Sequence, residues 1–199
     1  MAGGLGTRLR DAVPGLPKCM APVAGRPFLF YVINYLRSQG VEKFIFSLGY
    51  KHEVIEEYLG NQFATLSYQC VIEDEPLGTG GAILLACKKT TEKNVIVTNG
   101  DTLFKINAEK LSSFHVTQAA HCTLSLKPMT DFSRYGVVEL DENNIVRSFK
   151  EKQLYKKGLI NGGIYALNVE SFLSEGFPQK FSLRKTILKN YIPSVNFLA

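Results

Sequence analysis

Helical and extended hydrophobic patterns alternate along the first half of the chain. Apolar residues recur at the spacing of one helix face from Phe28 to Leu36, and Pro27 suits a first helical turn, so a helix is predicted over residues 27–39. A short continuous apolar run, such as 43–48, instead predicts a buried strand. The same patterns then predict a helix over 52–59 that Gly60 ends, a strand over 66–72, a helix over 79–89 and a strand over 94–98. This alternation indicates an α/β fold with a mostly parallel central sheet flanked by helices.

Other patterns flank this region. Residues 11–22 are rich in Pro and Gly and are predicted to be irregular. Beyond Asp101, short strand patterns separated by turns predict antiparallel additions to the sheet that form a second lobe. The predicted elements there are a helix over 108–114, strands over 121–126, 137–140, 145–150 and 163–167, and a final helix over 182–190. We expect one domain over 1–199, with a first half at 1–105 and a second half at 106–199.

Composition and charge narrow the class of protein. The chain is 45% hydrophobic and 21% charged, as is usual for a globular protein, and no apolar run approaches the roughly 18–20 residues of a membrane span. Because the N-terminus also lacks a signal-peptide pattern, a cytoplasmic location without a membrane partner is expected. The net charge of +5 is dispersed rather than clustered, which favours phosphorylated small molecules over nucleic acid as partners.

The cysteines and histidines do not point to a metal site. The four cysteines are widely spaced and contain no C-x-x-C pair, so they are predicted to be reduced and mostly buried. The three histidines have no ligand spacing and are expected to be surface or packing residues.

A glycine-rich segment at the start of the chain is the strongest candidate for phosphate binding. Residues 1–9 hold three glycines within four positions, followed by Thr7 and Arg8, and Lys18 comes ten residues after Arg8. Backbone amides of such a segment can surround phosphate oxygens, and the hydroxyl, guanidinium and ammonium groups add further donors. A dinucleotide-binding fingerprint would need a third glycine opening a helix, and Arg8-Leu9 stands in its place.

Asp101 follows the predicted strand 94–98 within Asn99-Gly100-Asp101-Thr102. Ligands of α/β sheets collect at the carboxyl ends of strands, where an Asp can hold Mg²⁺ together with substrate phosphates. An Asp in such a sequence is about as often a turn residue that caps the following segment. The residues alone leave both interpretations open.

The segment Gly-Gly-Leu-Gly-Thr-Arg-Leu at 3–9, followed by Pro17-Lys18, resembles the signature of sugar-1-phosphate nucleotidyltransferases. The resemblance recurs in the expected order at 73–82, 99–102, 135–136, 151–152 and 161–165, and so covers nearly the whole chain. It implies a Rossmann-like nucleotidyltransferase fold with a sugar-binding lobe, a nucleoside triphosphate, a sugar 1-phosphate and Mg²⁺. The family also has a strand before the loop and a second metal-binding Asp near the C-terminus. Because neither is found here, we expect a chain truncated at both ends.

The resemblance assigns roles to individual residues. It implies catalytic roles for Arg8 on the leaving pyrophosphate, Lys18 at the α-phosphate, Asp101 on Mg²⁺ and Lys152 on the attacking phosphate. The implied nucleotide-binding residues are Ala2, Gly3, Gly4, Gly6, Thr7, Arg8, Glu73, Pro76, Gly78 and Thr79. The implied sugar-phosphate-binding residues are Asn99, Gly100, Tyr135, Gly136, Glu151, Lys152, Asn161 and Gly162.

Residues 73–82 are implied to contact the nucleobase. Their small side chains would let the backbone come close to a base or ribose. A carboxylate from Glu73 or Glu75 can accept from both N1–H and the exocyclic amine of guanine, so GTP is the preferred triphosphate, with Glu73 favoured by its motif position. The alternative is a solvated acidic turn.

The resemblance is greatest to D-glycero-α-D-manno-heptose 1-phosphate guanylyltransferases, with mannose-1-phosphate guanylyltransferases as the near alternative. The expected reaction transfers GMP from GTP to a sugar 1-phosphate and releases pyrophosphate, on a route to GDP-sugars for surface polysaccharide. A catalytically inactive protein that binds a nucleotide sugar is the alternative from another class. The sequence leaves a homo-oligomer open.

Overall fold

The structure, a computed structural model, describes residues 15–184, 186 and 194–198, with side chains described up to Thr186. The chain falls into two units. The described residues of the first unit are 15–90, 99–103 and 178–181, and those of the second are 91–98, 104–177, 182–184, 186 and 194–198. Each unit has its own buried core.

The first unit is built around a parallel strand pair. Its elements are a 3₁₀ turn (Lys18–Met20), β1 (Pro22–Val23), β2 (Arg26–Pro27), α1 (Phe28–Ser38), β3 (Lys43–Leu48), α2 (His52–Gln62), β4 (Ser67–Ile72) and α3 (Gly78–Cys87). Strands β3 and β4 pair in parallel, whereas β1 and β2 form a small antiparallel pair. The core takes Leu29 and Ile33 from α1, Leu48 from β3, and Ile55 and Leu59 from α2. The apolar faces predicted from the sequence therefore pack on one another.

Most predicted elements of the first unit are confirmed, and β3 has the predicted bounds. Helix α2 was wrongly predicted to end at Gly60 and continues to Gln62. A glycine inside a helix costs only about 1 kcal/mol, and burial of Leu59 and Phe63 on either side holds the last turn in place. Residues 15–22, predicted to be irregular, contain the 3₁₀ turn and β1, because burial of Cys19 and Met20 fixes this segment to the core.

The second unit contains one sheet of six strands. Its elements are β5 (Asn94–Thr98), α4 (Ala108–Thr117), β6 (Cys122–Phe132), β7 (Val138–Leu140), β8 (Val146–Phe149), β9 (Tyr155–Asn168), α5 (Val169–Ser174) and β10 (Ser194–Leu198). The long strand β9 is antiparallel to β5, β6 and β7, and β10 is parallel to β6. Asn107 and Asn168 cap α4 and α5 by accepting from backbone amides.

The antiparallel additions predicted beyond Asp101 are confirmed, but the sheets are mixed rather than mostly parallel. Within the described residues, parallel pairing is confined to β3 with β4 and β6 with β10. The short connections between β6, β7 and β8 leave no room for the crossover that parallel neighbours need.

The largest difference from the predicted strands concerns β9, which was predicted only over 163–167 and spans Tyr155–Asn168. Its first half contains two lysines and a glycine, yet β9 pairs with β6 along almost its whole length. Gly163 has φ +79° and lies where the register with β6 shifts, so a bulge takes the place of the turn that Asn161-Gly162 suggests. Helix α5 and strand β10 were not predicted. Of the final helix predicted over 182–190, Leu183, Arg184 and Thr186 are helical, and most of the remainder lies outside the described residues.

Candidate active site

The predicted phosphate loop lies outside the described residues. This applies to Ala2, Gly3, Gly4, Gly6, Thr7 and Arg8, whose roles stay predictions. The other predicted site residues are divided between the units. Lys18, Glu73, Pro76, Gly78, Thr79, Asn99, Gly100 and Asp101 belong to the first unit, and Tyr135, Gly136, Glu151, Lys152, Asn161 and Gly162 belong to the second.

Lys18 and Asp101 form a direct ion pair within the first unit. The Lys18 Nζ donates to Asp101 Oδ2 at 2.5 Å, and the two side chains are 39% and 32% exposed. Lys18 is the first residue of the 3₁₀ turn, and the buried side chains of Cys19 and Met20 attach this turn to the core. Asp101 lies three residues beyond the end of β5. Two residues 83 positions apart, one implied to act at the α-phosphate and the other on Mg²⁺, are thus brought into contact.

The surroundings of Asp101 differ from those of a capping residue. Its second oxygen, Oδ1, accepts from the Thr102 hydroxyl at 3.3 Å, whereas Asn107 caps the next helix. Both oxygens of Asp101 therefore receive side-chain donors and stay partly open to solvent. An exposed carboxylate beside an exchangeable ammonium group is the kind of donor that Mg²⁺ takes when phosphates and water complete its ligands. In the described part of the chain, no three His, Cys, Asp or Glu residues form a metal-binding group. Asp101 therefore fits a Mg²⁺ ligand that acts together with phosphate and water oxygens, and this role stays a prediction.

Glu73 stabilises the loop between β4 and α3. Its Oε1 accepts from the buried Ser47 hydroxyl at 3.0 Å, and its Oε2 accepts from the Leu77 amide at 3.2 Å. The Glu73 amide also donates to the Leu48 carbonyl at 2.7 Å, which extends the pairing of β3 with β4. Glu73 is therefore not a solvated turn residue, whereas Asp74 and Glu75 are exposed. A carboxylate has about four lone-pair sites, so two acceptor sites of Glu73 remain for a ligand.

The glycines that follow Glu73 pack against another segment of the first unit. The Gly80 amide donates to the Phe181 carbonyl at 3.0 Å, and the Phe181 amide donates to the Leu77 carbonyl at 3.0 Å. Gly78 has φ +73°, and a Cβ there would lie 2.6 Å from the Phe181 oxygen. These small residues were predicted to let a base or ribose come close, and in the structure the segment around Phe181 packs closely against them. Nucleotide contacts of Pro76, Gly78 and Thr79 stay predictions.

In the second unit, the structure brings the predicted residue Gly136 beside the segment that carries Glu151 and Lys152. The Lys150 amide donates to the Val137 carbonyl at 2.8 Å, and a Cβ on Gly136 would collide with the Lys150 carbonyl oxygen. Glu151 and Lys152 are exposed, and Tyr135 is 47% exposed. This loop pair leaves charged and aromatic groups accessible around a closely packed backbone.

Asn161 forms hydrogen bonds on both sides of the β9 bulge. Its Oδ1 accepts from the Gly163 amide at 2.8 Å, and its Nδ2 donates to the Tyr165 hydroxyl at 2.9 Å. Gly162 lies against the Phe104 ring, which leaves no space for a side chain. Asn161 was predicted to bind sugar, and the structure adds that it orders the bulge.

Two further residues of this unit were given no role from the sequence. Tyr165 receives the Asn161 hydrogen bond, and Arg184 lies with its Nη2 2.9 Å from the position that a Cβ on Gly136 would take. Burial raises the pKa of Tyr165, whereas the Asn161 hydrogen bond and the Arg184 charge act in the opposite direction. Tyr165 ends the run 161–165 that carries the resemblance, although no role was assigned to it, whereas a single Arg in a helical segment gives no pattern.

The remaining titratable groups have structural roles, as predicted for most of them. All four cysteines are free, and burial raises the pKa of the Cys122 thiol to about 12. His115 is buried, and burial lowers its pKa, so it is a neutral packing residue bonded to Thr123. His52 lies beside Glu56, and their hydrogen bond raises its pKa. None of the helices in the described ranges is long and apolar enough to cross a membrane.

The chain is similar to known proteins in both sequence and fold. The D-glycero-alpha-D-manno-heptose 1-phosphate guanylyltransferase of Aneurinibacillus thermoaerophilus is 48% identical over 95% of this chain and 82% of its own length. The protein of the same name from Campylobacter jejuni is 44% identical over 96% of this chain and 84% of its own length. The crystal structure of HddC from Yersinia pseudotuberculosis complexed with GMP-PN matches with a TM-score of 0.89 and 34% identity, over 100% of this chain and 88% of that one. The profile of the family described as nucleotidyl transferase matches residues 1–190, and the chain belongs to this family of enzymes.

Proposed function

We propose that this chain transfers GMP from GTP to D-glycero-α-D-manno-heptose 1-phosphate and releases pyrophosphate. The Lys18–Asp101 ion pair is the observation that carries the reaction class, because it joins an ammonium group and a carboxylate suited to phosphate and to Mg²⁺. The similarity to two heptose 1-phosphate guanylyltransferases supports the choice of both substrates.

The proposed reaction is a direct displacement. An oxygen of the sugar phosphate attacks the α-phosphorus of GTP, and the bond from that phosphorus to the oxygen bridging to the β-phosphate breaks as pyrophosphate leaves. The attacking phosphate is already ionised near neutral pH, so no general base is needed, and the rate depends on positioning and charge. Mg²⁺, when bound, would neutralise phosphate charge beside Asp101.

The predicted site residues have distinct proposed roles in this reaction. Lys18 exchanges its Asp101 partner for an α-phosphate oxygen, which is a small change for a flexible ammonium group. Glu73 uses its remaining acceptor sites for guanine N1–H and N2–H, and Ser47 and Leu77 hold it in place. Arg8 and the amides of 2–7 hold the triphosphate, and Lys152 binds the attacking phosphate.

The test is pyrophosphate release with Mg²⁺, measured for GTP, ATP, UTP, CTP and dTTP, each with manno-heptose, mannose and glucose 1-phosphate. The proposal predicts the highest kcat/KM for GTP with the heptose phosphate. A preference for mannose 1-phosphate would replace the sugar but keep the reaction. If the protein binds a GDP-sugar and releases no pyrophosphate with any pair, the proposal fails and a nucleotide-sugar-binding regulatory role takes its place.

Two wider assignments accompany this function. A GDP-sugar is an activated donor for glycosyl transfer, so we place the reaction on a route to surface polysaccharide. GTP is a cytoplasmic metabolite, and we propose the cytoplasm as the location.

A further inference from the structure

Arg184 is a half-buried cation in the second unit. Within the described part of the chain, its guanidinium forms no ion pair with a carboxylate. Arg147, by contrast, pairs with Asp141 at 2.7 Å and Arg26 lies over the Phe30 ring, whereas Arg37 and Arg134 are exposed to solvent. A charge that is partly withdrawn from water needs a partner, which in a binding protein is often the ligand.

The guanidinium lies against the loop that carries Gly136. Its Nη2 lies 2.9 Å from the Cβ position of that glycine, so any side chain at 136 would displace Arg184. The Lys150 carbonyl limits the same space from the other side, and Lys152 follows two residues later. Arg184 therefore adds a positive charge beside a loop pair that already carries Lys152.

Tyr165 belongs to the same unit as Arg184 and Asn161. The charge of Arg184 acts on the buried Tyr165 hydroxyl, which accepts a hydrogen bond from Asn161. The Arg184 guanidinium thus lies beside Gly136, and its charge acts on Tyr165, which bonds Asn161; Gly136 and Asn161 are both predicted sugar-phosphate-binding residues.

We propose that Arg184 binds the phosphate of the sugar 1-phosphate. This inference rests on the proposed function and deepens it. The planar guanidinium can donate two parallel hydrogen bonds to phosphate oxygens, whereas the exposed ammonium of Lys152 acts as a point charge. Arg184 would fix the orientation of the attacking phosphate, and Lys152 would raise the local concentration of the sugar phosphate.

The test compares Arg184→Ala and Arg184→Lys with wild type, with Arg147→Ala as a matched control from the same unit. Steady-state kinetics give the KM of each substrate separately. Loss of a charge-assisted hydrogen bond predicts a rise of about 10-fold or more in the KM for heptose 1-phosphate in Arg184→Ala. We expect the KM for GTP to stay within about twofold, Arg184→Lys to recover part of the loss, and Arg147→Ala to match wild type.

Calorimetric binding of heptose 1-phosphate separates this inference from the proposed function. If wild type binds the sugar phosphate and Arg184→Ala binds it at least about 10-fold more weakly, the inference stands even where no turnover occurs. If turnover occurs and the KM for the sugar phosphate is unchanged in Arg184→Ala, the inference is overturned and the proposed function stands. An equal rise in both KM values would also overturn it, because a structural role would affect both substrates.

Discussion

Two replacements of Glu73, by Ala and by Gln, separate its structural role from its proposed role in guanine selection. The carboxylate accepts from Ser47 at 3.0 Å and from Leu77 at 3.2 Å, and Ser47 is only 1% exposed. Hydrogen bonds to a charged group contribute about 1.5–3 kcal/mol each, and Glu73 is half-buried, so the lower value applies. Glu73→Ala is therefore expected to destabilise the fold by about 3 kcal/mol.

The replacement Glu73→Gln is the matched control. Its amide oxygen can accept from the Leu77 N–H, and its amide nitrogen can donate to the Ser47 oxygen, whose hydroxyl can rotate. Both contacts survive, so the loss in stability is expected to stay below about 1 kcal/mol. The guanine contact does not survive, because one amide oxygen cannot replace a carboxylate that accepts from two donors.

Thermal unfolding and nucleotide competition measure the two roles. At about 2–4 °C per kcal/mol for a chain of this size, Glu73→Ala should melt about 6–12 °C below wild type and Glu73→Gln within about 4 °C of it. Both variants should lose at least about 10-fold of the preference for GTP over ATP. A Glu73→Gln protein that melts as low as Glu73→Ala would refute the structural reasoning, and one that keeps the full GTP preference would refute base selection by Glu73.

Two other predictions concern stability. Burial lowers the pKa of His115, so the unfolded chain takes up a proton that the folded chain does not, and the free energy of unfolding should fall as pH drops below about 6.5. In His115→Gln, the melting temperature should therefore depend less on pH between pH 8 and 5 than in wild type. Equal pH dependence of the melting temperature in both proteins would exclude this residue as the cause. A Cβ at position 81 would collide with the Gln179 carbonyl, whereas one at Gly60 in α2 would meet nothing within 4 Å. Gly81→Ala should therefore lose about 1–3 kcal/mol in urea unfolding and Gly60→Ala gain about 0.5–1 kcal/mol, and equal effects of the two changes would contradict the packing described.

Strands with a local pattern could be predicted from the sequence, and strands held by distant partners could not. A continuous apolar run gives β3 and β5 their observed bounds. The first half of β9 contains Lys156, Lys157 and Gly158, and only its pairing with β6 and β7 makes it extended. The bulge at Gly163 has the same origin, because Asn-Gly favours a turn until the neighbouring strands impose another geometry.

The candidate site shows the same limit. Lys18 and Asp101 could be identified from their motifs, and the fold joins them across 83 positions. The glycines of 78–81 indicate close approach but do not identify the partner, which is the segment around Phe181. Arg184 could not be identified, because its significance depends on the neighbouring Gly136 and on the lack of a described carboxylate partner.

The most direct measurement follows the α-phosphate of GTP during turnover with heptose 1-phosphate. GTP labelled at the α-phosphate is incubated with heptose 1-phosphate and wild type, Lys18→Ala or the exposed control Lys88→Ala. The products are then separated and identified by mass spectrometry. The proposed function predicts label in a GDP-heptose, a rate reduced at least about 10²-fold in Lys18→Ala, and an unchanged rate in Lys88→Ala. Label that never enters a nucleotide sugar, or a Lys18→Ala protein as fast as wild type, would contradict it.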